Sequence, residues 1–239
     1  MKFLAIETST RQLGVALIDE ERLVASYELL AHYPHAAELP AAVNRVLQTA
    51  AANWKDLEAL VVDIGPGSFT GLRIGLAFVK AIAFATGKPV VGVSSLDVLA
   101  AGLPWAALPV CALLDARQQN LYAALYAVKD GEAVRQSEYL LAPADEALEL
   151  LSRPTIVVGD GCAAYHDRLL AKCPGAHIAP QELWLPKAAT LARLGRARWL
   201  SGLRDDPALL VPMYLYPLDC SVRGPNRPSA VLSSRAASH

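Results

Sequence analysis

The sequence predicts an α/β protein of two similarly built lobes, each a mixed sheet flanked by helices. Three observations carry this. The chain opens with three strand-like runs, continues in alternating helix and strand patterns, and begins the same succession again near Val110. The first strand of each half ends on a carboxylate, Glu7 or Asp115, followed by a short polar turn. An offset of 108 lays Glu7 on Asp115, Leu13 on Leu121, Ala16 on Ala124 and Leu17 on Leu125.

In the first half, Lys2–Ile6, Leu13–Ile18 and Arg22–Leu29 read as strands, with imperfect alternation that fits a sheet covered on both faces. His35–Ala51 reads as a helix whose apolar stripe is Leu39, Val43, Val46, Leu47 and Ala50. Pro40 sits in its early turns, where a missing N–H costs least. Strand Ala59–Ile64, a glycine turn, helix Thr70–Thr86, strand Pro89–Val93 and a short helix Leu96–Ala101 follow. Gly102-Leu103-Pro104 is the expected boundary.

The second half repeats the plan. Val110–Leu114, Leu121–Val128 and Arg135–Leu140 read as strands, with a hairpin turn at Lys129–Glu132. Helix Pro143–Leu151, strand Thr155–Val158, helix Cys162–Leu170 and helix Lys187–Ser201 complete it. The expected domains are 1–103, 104–220 and a tail over 221–239 rich in Ser, Arg, Ala and Pro.

Composition excludes several classes. With 54% apolar and 19% charged residues, the 239-residue chain is globular. Net charge is −1, so there is no overall basic signal for nucleic acid. The charge is uneven: residues 187–239 carry +5, which is either a surface for RNA phosphates or a solvated helix face. Cys111, Cys162, Cys173 and Cys220 form no C-x-x-C pair and read as reduced core thiols. The N-terminus lacks the zones of a signal peptide. Leu72–Ala85 is interrupted by Arg73, Gly75 and Lys80 and reads as too short to cross a bilayer. A soluble cytoplasmic protein with no membrane partner is expected.

The run Gly65-Pro66-Gly67-Ser68-Phe69-Thr70-Gly71-Leu72-Arg73-Ile74-Gly75 is the most informative motif. Strand, glycine turn and helix N-terminus make an anion site in general, because unpaired N–H groups point out of the turn. Here the dinucleotide pattern fails at Thr70, and Gly71 is followed by Leu72-Arg73 where a P-loop needs Lys-Ser/Thr. The following helix carries only two charges from Leu72 to Phe84, so it is expected to be buried on more than one side. Gly71 and Gly75 would let another helix approach. A partner protein or the chain itself could cover the second face. Glu7-Thr8-Ser9-Thr10 reads either as a phosphate-handling hairpin or as a self-capping polar turn. His32 and His35 lack a third ligand at a telling spacing, so no metal site is assigned. His166 and His177 are isolated. Ser68 fails the nucleophile-elbow pattern, and Cys111 lies in a core strand. No catalytic residue and no cofactor is assigned.

Together, Leu4-Ala5-Ile6-Glu7-Thr8-Ser9-Thr10, the Gly65–Gly75 run, Val91-Gly92-Val93-Ser94-Ser95-Leu96 and Leu114-Asp115-Ala116-Arg117 resemble the TsaB (YeaZ) family, over nearly the whole chain to about Leu215. His35–Leu39 and Gly159-Asp160-Gly161 also look like family positions. The resemblance implies duplicated ribonuclease-H-like lobes of the actin/Hsp70/sugar-kinase (ASKHA) fold. It implies a non-catalytic scaffold that binds the catalytic paralogue TsaD. With the ATPase TsaE, that complex makes N6-threonylcarbamoyladenosine in tRNA, which this chain would touch only indirectly. It further implies a TsaD-facing helix pair, here Leu39, Val43, Leu47, Gly71, Leu72, Gly75, Leu76, Phe78, Val79 and Ile82. Whether the free chain forms a homodimer is left open by the sequence. Glu7, Thr8, Ser9 and Asp115 would line a vestigial cleft. The paralogue's H-x-x-x-H metal motif does not occur here, and Tyr214-Leu215 is followed by Tyr216 where the family often has Arg. The alternative is an ATP-dependent kinase or transferase of the same fold using Glu7 and Asp115.

Overall fold

The computed structural model describes residues 1–30 and 35–215. His32, Cys220, Tyr216 and the expected tail lie outside these residues.

The first sheet contains β1 (Lys2–Glu7), β2 (Gln12–Asp19), β3 (Arg22–Leu30), β4 (Leu57–Gly65) and β5 (Val90–Ser94) in the order β3-β2-β1-β4-β5. The second contains β6 (Val110–Arg117), β7 (Asn120–Lys129), β8 (Glu132–Arg135), β9 (Leu140–Pro143), β10 (Thr155–Val158) and β11 (Ala176–Ile178). Its order is β11-β10-β6-β7-β8, with β9 also on β7. Read from the hairpin edge, the two sheets have the same plan. The first three strands are antiparallel, and the next two run parallel to the first.

One detail of the repeat changes. Ala5 pairs with Ala16, whereas Leu113 pairs with Ala123. By the face each strand presents, β2 and β7 keep the offset of 108: Leu13 and Leu121 both face the helices that follow the first three strands of their sheet. β1 and β6 are related by 107, because Ile6 shares that face with Leu113 and not with Leu114, so Asp115 lies one residue beyond the counterpart of Glu7. The β6–β7 turn passes through Arg117, Gln118 and Gln119, all at positive φ.

Strand alternation sorts the cores. Leu4, Ile6, Leu60 and Val62 face α1 (His35–Thr49) and α2 (Phe69–Thr86). Phe3, Ala5, Ala59 and Val61 face α7 (Ala188–Leu200). In the second sheet Cys111, Leu113, Leu121 and Ala123 face α4 (Ala144–Ala147), α5 (Gly161–Ala164) and α6 (His166–Lys172). Val110, Ala112 and Leu114 face α3 (Ser95–Ala101). The last helix of each half therefore lies across the joint. Helix α3 covers the second sheet, and α7, which comes after the expected boundary at Gly102–Pro104, covers the first. Gly195 lets α7 press on Val61, where a Cβ would overlap the valine methyls.

Other expectations shift locally. The strand expected at Arg135–Leu140 is split into β8 and β9, and the helix expected at Pro143–Leu151 is one α-turn run on as a 3-10 turn, Leu148–Leu150. The short β11 went unread. Helix α2 runs 18 residues and is long and apolar enough for a membrane span by length and composition, contrary to expectation. Its buried residues Leu76, Val79 and Ala83 instead pack on the first sheet.

Candidate functional site

The site builds outward from the ends of β1 and β4. These strands are parallel neighbours, with Ile6 opposite Val62, so Glu7 and Asp63 emerge side by side. Both are fully buried. Glu7 Oε1 accepts from the Ser9 N–H and the Ser9 hydroxyl, each at 2.6 Å. Asp63 Oδ1 accepts from the Gly65 N–H and the Ser95 hydroxyl, each at 2.6 Å. The second oxygens, Glu7 Oε2 and Asp63 Oδ2, are buried without a hydrogen-bond partner. Burial, with Asp63 alongside, pushes Glu7 well above the usual carboxylate range. Asp63 is raised by burial as well, but the Glu7, Ser95, Gly65 and Ser9 donors oppose the shift. Burial therefore favours the protonated form in this pair, most strongly at Glu7.

The Gly65–Gly75 corner sits against the β1–β2 turn. The Ser68 N–H donates to the Ser9 carbonyl at 2.6 Å, and Ser68 Oγ caps the helix by accepting from the Gly71 N–H at 3.2 Å. A Cβ on Gly67 would overlap the Ser9 carbonyl, one on Gly71 the Thr8 carbonyl, and one on Gly75 the Thr8 hydroxyl. The glycines therefore admit a turn, not a second helix. The Gly65, Ser68 and Gly71 N–H groups that would cradle an anion are spent within the chain. Thr8 and Ser9 are buried, and Thr8 Oγ1 has no hydrogen-bond partner. Glu7, Thr8 and Ser9 accordingly sit in the interior rather than on an open cleft.

Asp115 has a parallel but looser setting. Its N–H donates to Asp160 Oδ1 at 3.0 Å, and its own carboxylate takes the Arg117 N–H at 2.9 Å and the Arg117 guanidinium at 3.2 Å. Burial raises Asp160, the counterpart of Asp63 beyond β10. Sequence reasoning missed Asp63 and read Asp160 only as part of the Gly159-Asp160-Gly161 run. The signal for Asp63 was present, a single carboxylate inside the apolar run Leu60–Ile64.

The expected partner-facing residues are placed differently. Leu39, Val43, Leu47, Gly71, Leu72, Gly75, Leu76 and Val79 are buried within this chain, and Phe78 and Ile82 are half-buried. They form the seam of α1 and α2 on the sheet, because the apolar stripe of each helix turns to its own core. What α2 leaves in solvent is another stripe: Phe69, Thr70, Arg73, Ala77, Ala81, Phe84 and Ala85, with Phe84 93% exposed. A strap from Asp205 to Leu215 runs beside it. Lys80 Nζ donates to the Ala208 carbonyl at 3.4 Å, and Met213 N–H donates to the Ile64 carbonyl at 2.7 Å. Arg73 stacks over Phe69 at 3.8 Å and donates to the Tyr214 hydroxyl at 3.0 Å. Leu209 and Val211 on this strap are exposed.

Much of the basic end is engaged. Lys187 pairs with Glu28 at 2.9 Å, Arg196 pairs with Glu20 and Glu21, Arg198 donates to the Gly92 carbonyl, and Arg204 lies over Trp199. His35 Nε2 lies 2.9 Å from the Thr10 carbonyl. Among the described residues no group of three or more His, Cys, Asp or Glu could hold a metal. Burial raises the Cys111 and Cys162 thiols, the latter to about 12, so both are inert as nucleophiles.

Two lobes of one strand plan, joined by crossed helices, with the phosphate corner filled from within, define a protein of the actin/Hsp70/sugar-kinase class. A family profile described as TsaD, tRNA N6-adenosine threonylcarbamoyltransferase, matches residues 29–204. The tRNA threonylcarbamoyladenosine biosynthesis protein TsaB of Bacillus subtilis is 32% identical over 90% of this chain and 94% of its own length. The protein of the same description in Escherichia coli is 31% identical with the same coverage. The solved structure of YeaZ from Pseudomonas aeruginosa is 29% identical, covers 90% of this chain and 99% of its own, and superposes with a TM-score of 0.77. The chain belongs to the TsaB family.

Proposed function

We propose that this protein takes part in threonylcarbamoyladenosine synthesis on tRNA as a non-catalytic subunit that binds and activates a TsaD-like enzyme. The names carried by its relatives support the pathway. Partial likeness to the transferases themselves supports the partner: the enzyme of Erythrobacter litoralis is 31% identical over 110 residues. The single observation that carries the scaffold role is the solvent stripe of α2. Phe84 is 93% exposed in the last turn of α2, within the uncharged run Ala81–Ala85, on a helix whose other face already fills the core. The docking surface is that stripe with the flanking strap. A TsaE-like ATPase joins through the complex, and tRNA is met through the enzyme. The Gly65, Ser68 and Gly71 N–H groups are engaged within the chain, which argues against a nucleotide phosphate at this corner.

The test is threonylcarbamoyl transfer by TsaD and TsaE with this protein added or omitted. Dependence on it, with no ATP turnover by the protein alone, supports the scaffold. Tight ATP binding and turnover by the isolated chain would support a kinase or transferase acting through Glu7 and Asp115 instead.

A further inference from the structure

We propose that Glu7 and Asp63 share a single buried proton, and that this proton locks the corner from which α2 projects. The inference stands on geometry. Both side chains are fully buried on adjacent parallel strands. One oxygen of each is saturated by short hydrogen bonds from Ser9, Gly65 and Ser95. The other two, Glu7 Oε2 and Asp63 Oδ2, are buried with no hydrogen-bond partner. Two unpaired acceptor-only groups on neighbouring strands cannot both stay ionised in the interior, and one proton held between them satisfies both.

Charged groups on the surrounding elements are committed elsewhere. Lys187, next to α7, pairs with Glu28. Arg73 of α2 stacks on Phe69 and binds Tyr214. Asp97 of α3 takes the Tyr126 and Tyr139 hydroxyls. His35 of α1 turns to the Thr10 carbonyl, Arg117 pairs with Asp115, and Arg11 is exposed on the β1–β2 turn. The pair therefore compensates itself. It also gathers three junctions: the β1–β2 turn through Ser9, the β4–α2 corner through Gly65, and the start of α3 through Ser95. Ser9 reaches on to Ser68 at the cap of α2.

The direction of the linkage follows. Glu7 holds its proton in the folded chain and releases it more easily when unfolded. The contribution is complete below the unfolded carboxylate value of about 4.3, and it is lost progressively as pH rises toward the folded value. Glu7→Gln and Asp63→Asn each replace one acid by an amide that can donate across the pair. The double variant sets two NH2 groups face to face.

The experiment is chemical denaturation of the wild type, both single variants and the double variant from about pH 5 to about pH 9, with infrared detection of a protonated carboxyl in the folded protein. The expected result is a protonated-acid band at neutral pH that is lost in Glu7→Gln. Each single amide should be at least as stable as the wild type at about pH 8, with a flatter pH profile. The double variant should raise the unfolding constant at least about tenfold over either single one, because a buried donor is left unmatched. The proposal is overturned if the double variant is the most stable of the four, as two independently ionised carboxylates require, or if the acid band is missing. This outcome is separate from the TsaD assay, because it needs no partner.

Discussion

Gly71 packs so closely against Thr8 that a Cβ on the helix would overlap the threonine carbonyl oxygen. The overlap is with backbone, so it cannot be relieved by a rotamer change. Gly71→Ala should therefore cost about 1–3 kcal/mol, as overpacking of a dense interior does. Ala85→Ser, on the solvent side of the same helix, should leave the denaturation midpoint unchanged. Equal midpoints for Gly71→Ala and wild type would refute the close-packed corner.

The same contact decides how to test the docking surface. Gly75 is unsuitable, because a side chain there would strike the Thr8 hydroxyl and disturb the fold. Ala81 and Phe84 are exposed. Ala81→Glu and Phe84→Glu should preserve circular dichroism and melting temperature while lowering affinity for a TsaD-like partner more than about tenfold, the range of a buried aromatic anchor. Unchanged co-purification with both variants would remove the α2 stripe from the interface.

The lobes are tied at Asp97. Its Oδ1 accepts from the Tyr126 and Tyr139 hydroxyls, each at 2.8 Å, bringing α3 onto β7 and the segment after β8. Tyr126→Phe should cost about 1.5–3 kcal/mol, typical of a hydrogen bond to a charged group. Burial, with Asp97 beside it, pushes Tyr139 up to about 12. A raised folded value stabilises the protein below the unfolded tyrosine value of about 10, and that stabilisation fades as pH climbs to the folded value. Tyr139→Phe should remove this alkaline dependence. An absorbance titration showing Tyr139 ionising like a free tyrosine would contradict it.

Helix α7 offers a fourth test. Gly195→Leu should lift the helix from Val61 and lower stability by about 1–3 kcal/mol, because the valine methyls already occupy the space. Scanning calorimetry compares it with Leu200→Ala, at an exposed position, which should change little.

How legible this was differs from element to element. The two-lobe plan was readable because in each half a strand-like run leads to a carboxylate, Glu7 or Asp115, and then to a polar turn. The one-residue difference between the two hairpins was not, since it lies in how β6 enters the turn through Arg117–Gln119 rather than in the apolar pattern. The apolar residues of α1 and α2 were read correctly as apolar, but periodicity names a buried face without saying what buries it. Leu39, Val43 and Val79 went to the chain's own sheet, leaving Phe84 in solvent. Asp63 was missed because an apolar run was read for its average and not for its exception. The placement of α7 on the first sheet depends on which layer is free, and no local stripe encodes that.

The crossing of α3 and α7 also sets an order of assembly. A nascent chain that has released only β1 to β5 presents Phe3, Ala5, Val61 and Val93 to water, because the helix that shelters them is encoded after β11. The first lobe can be completed only when the ribosome has delivered nearly the whole sequence. A fragment cut near Gly102 would expose one sheet and carry α3 as an orphan.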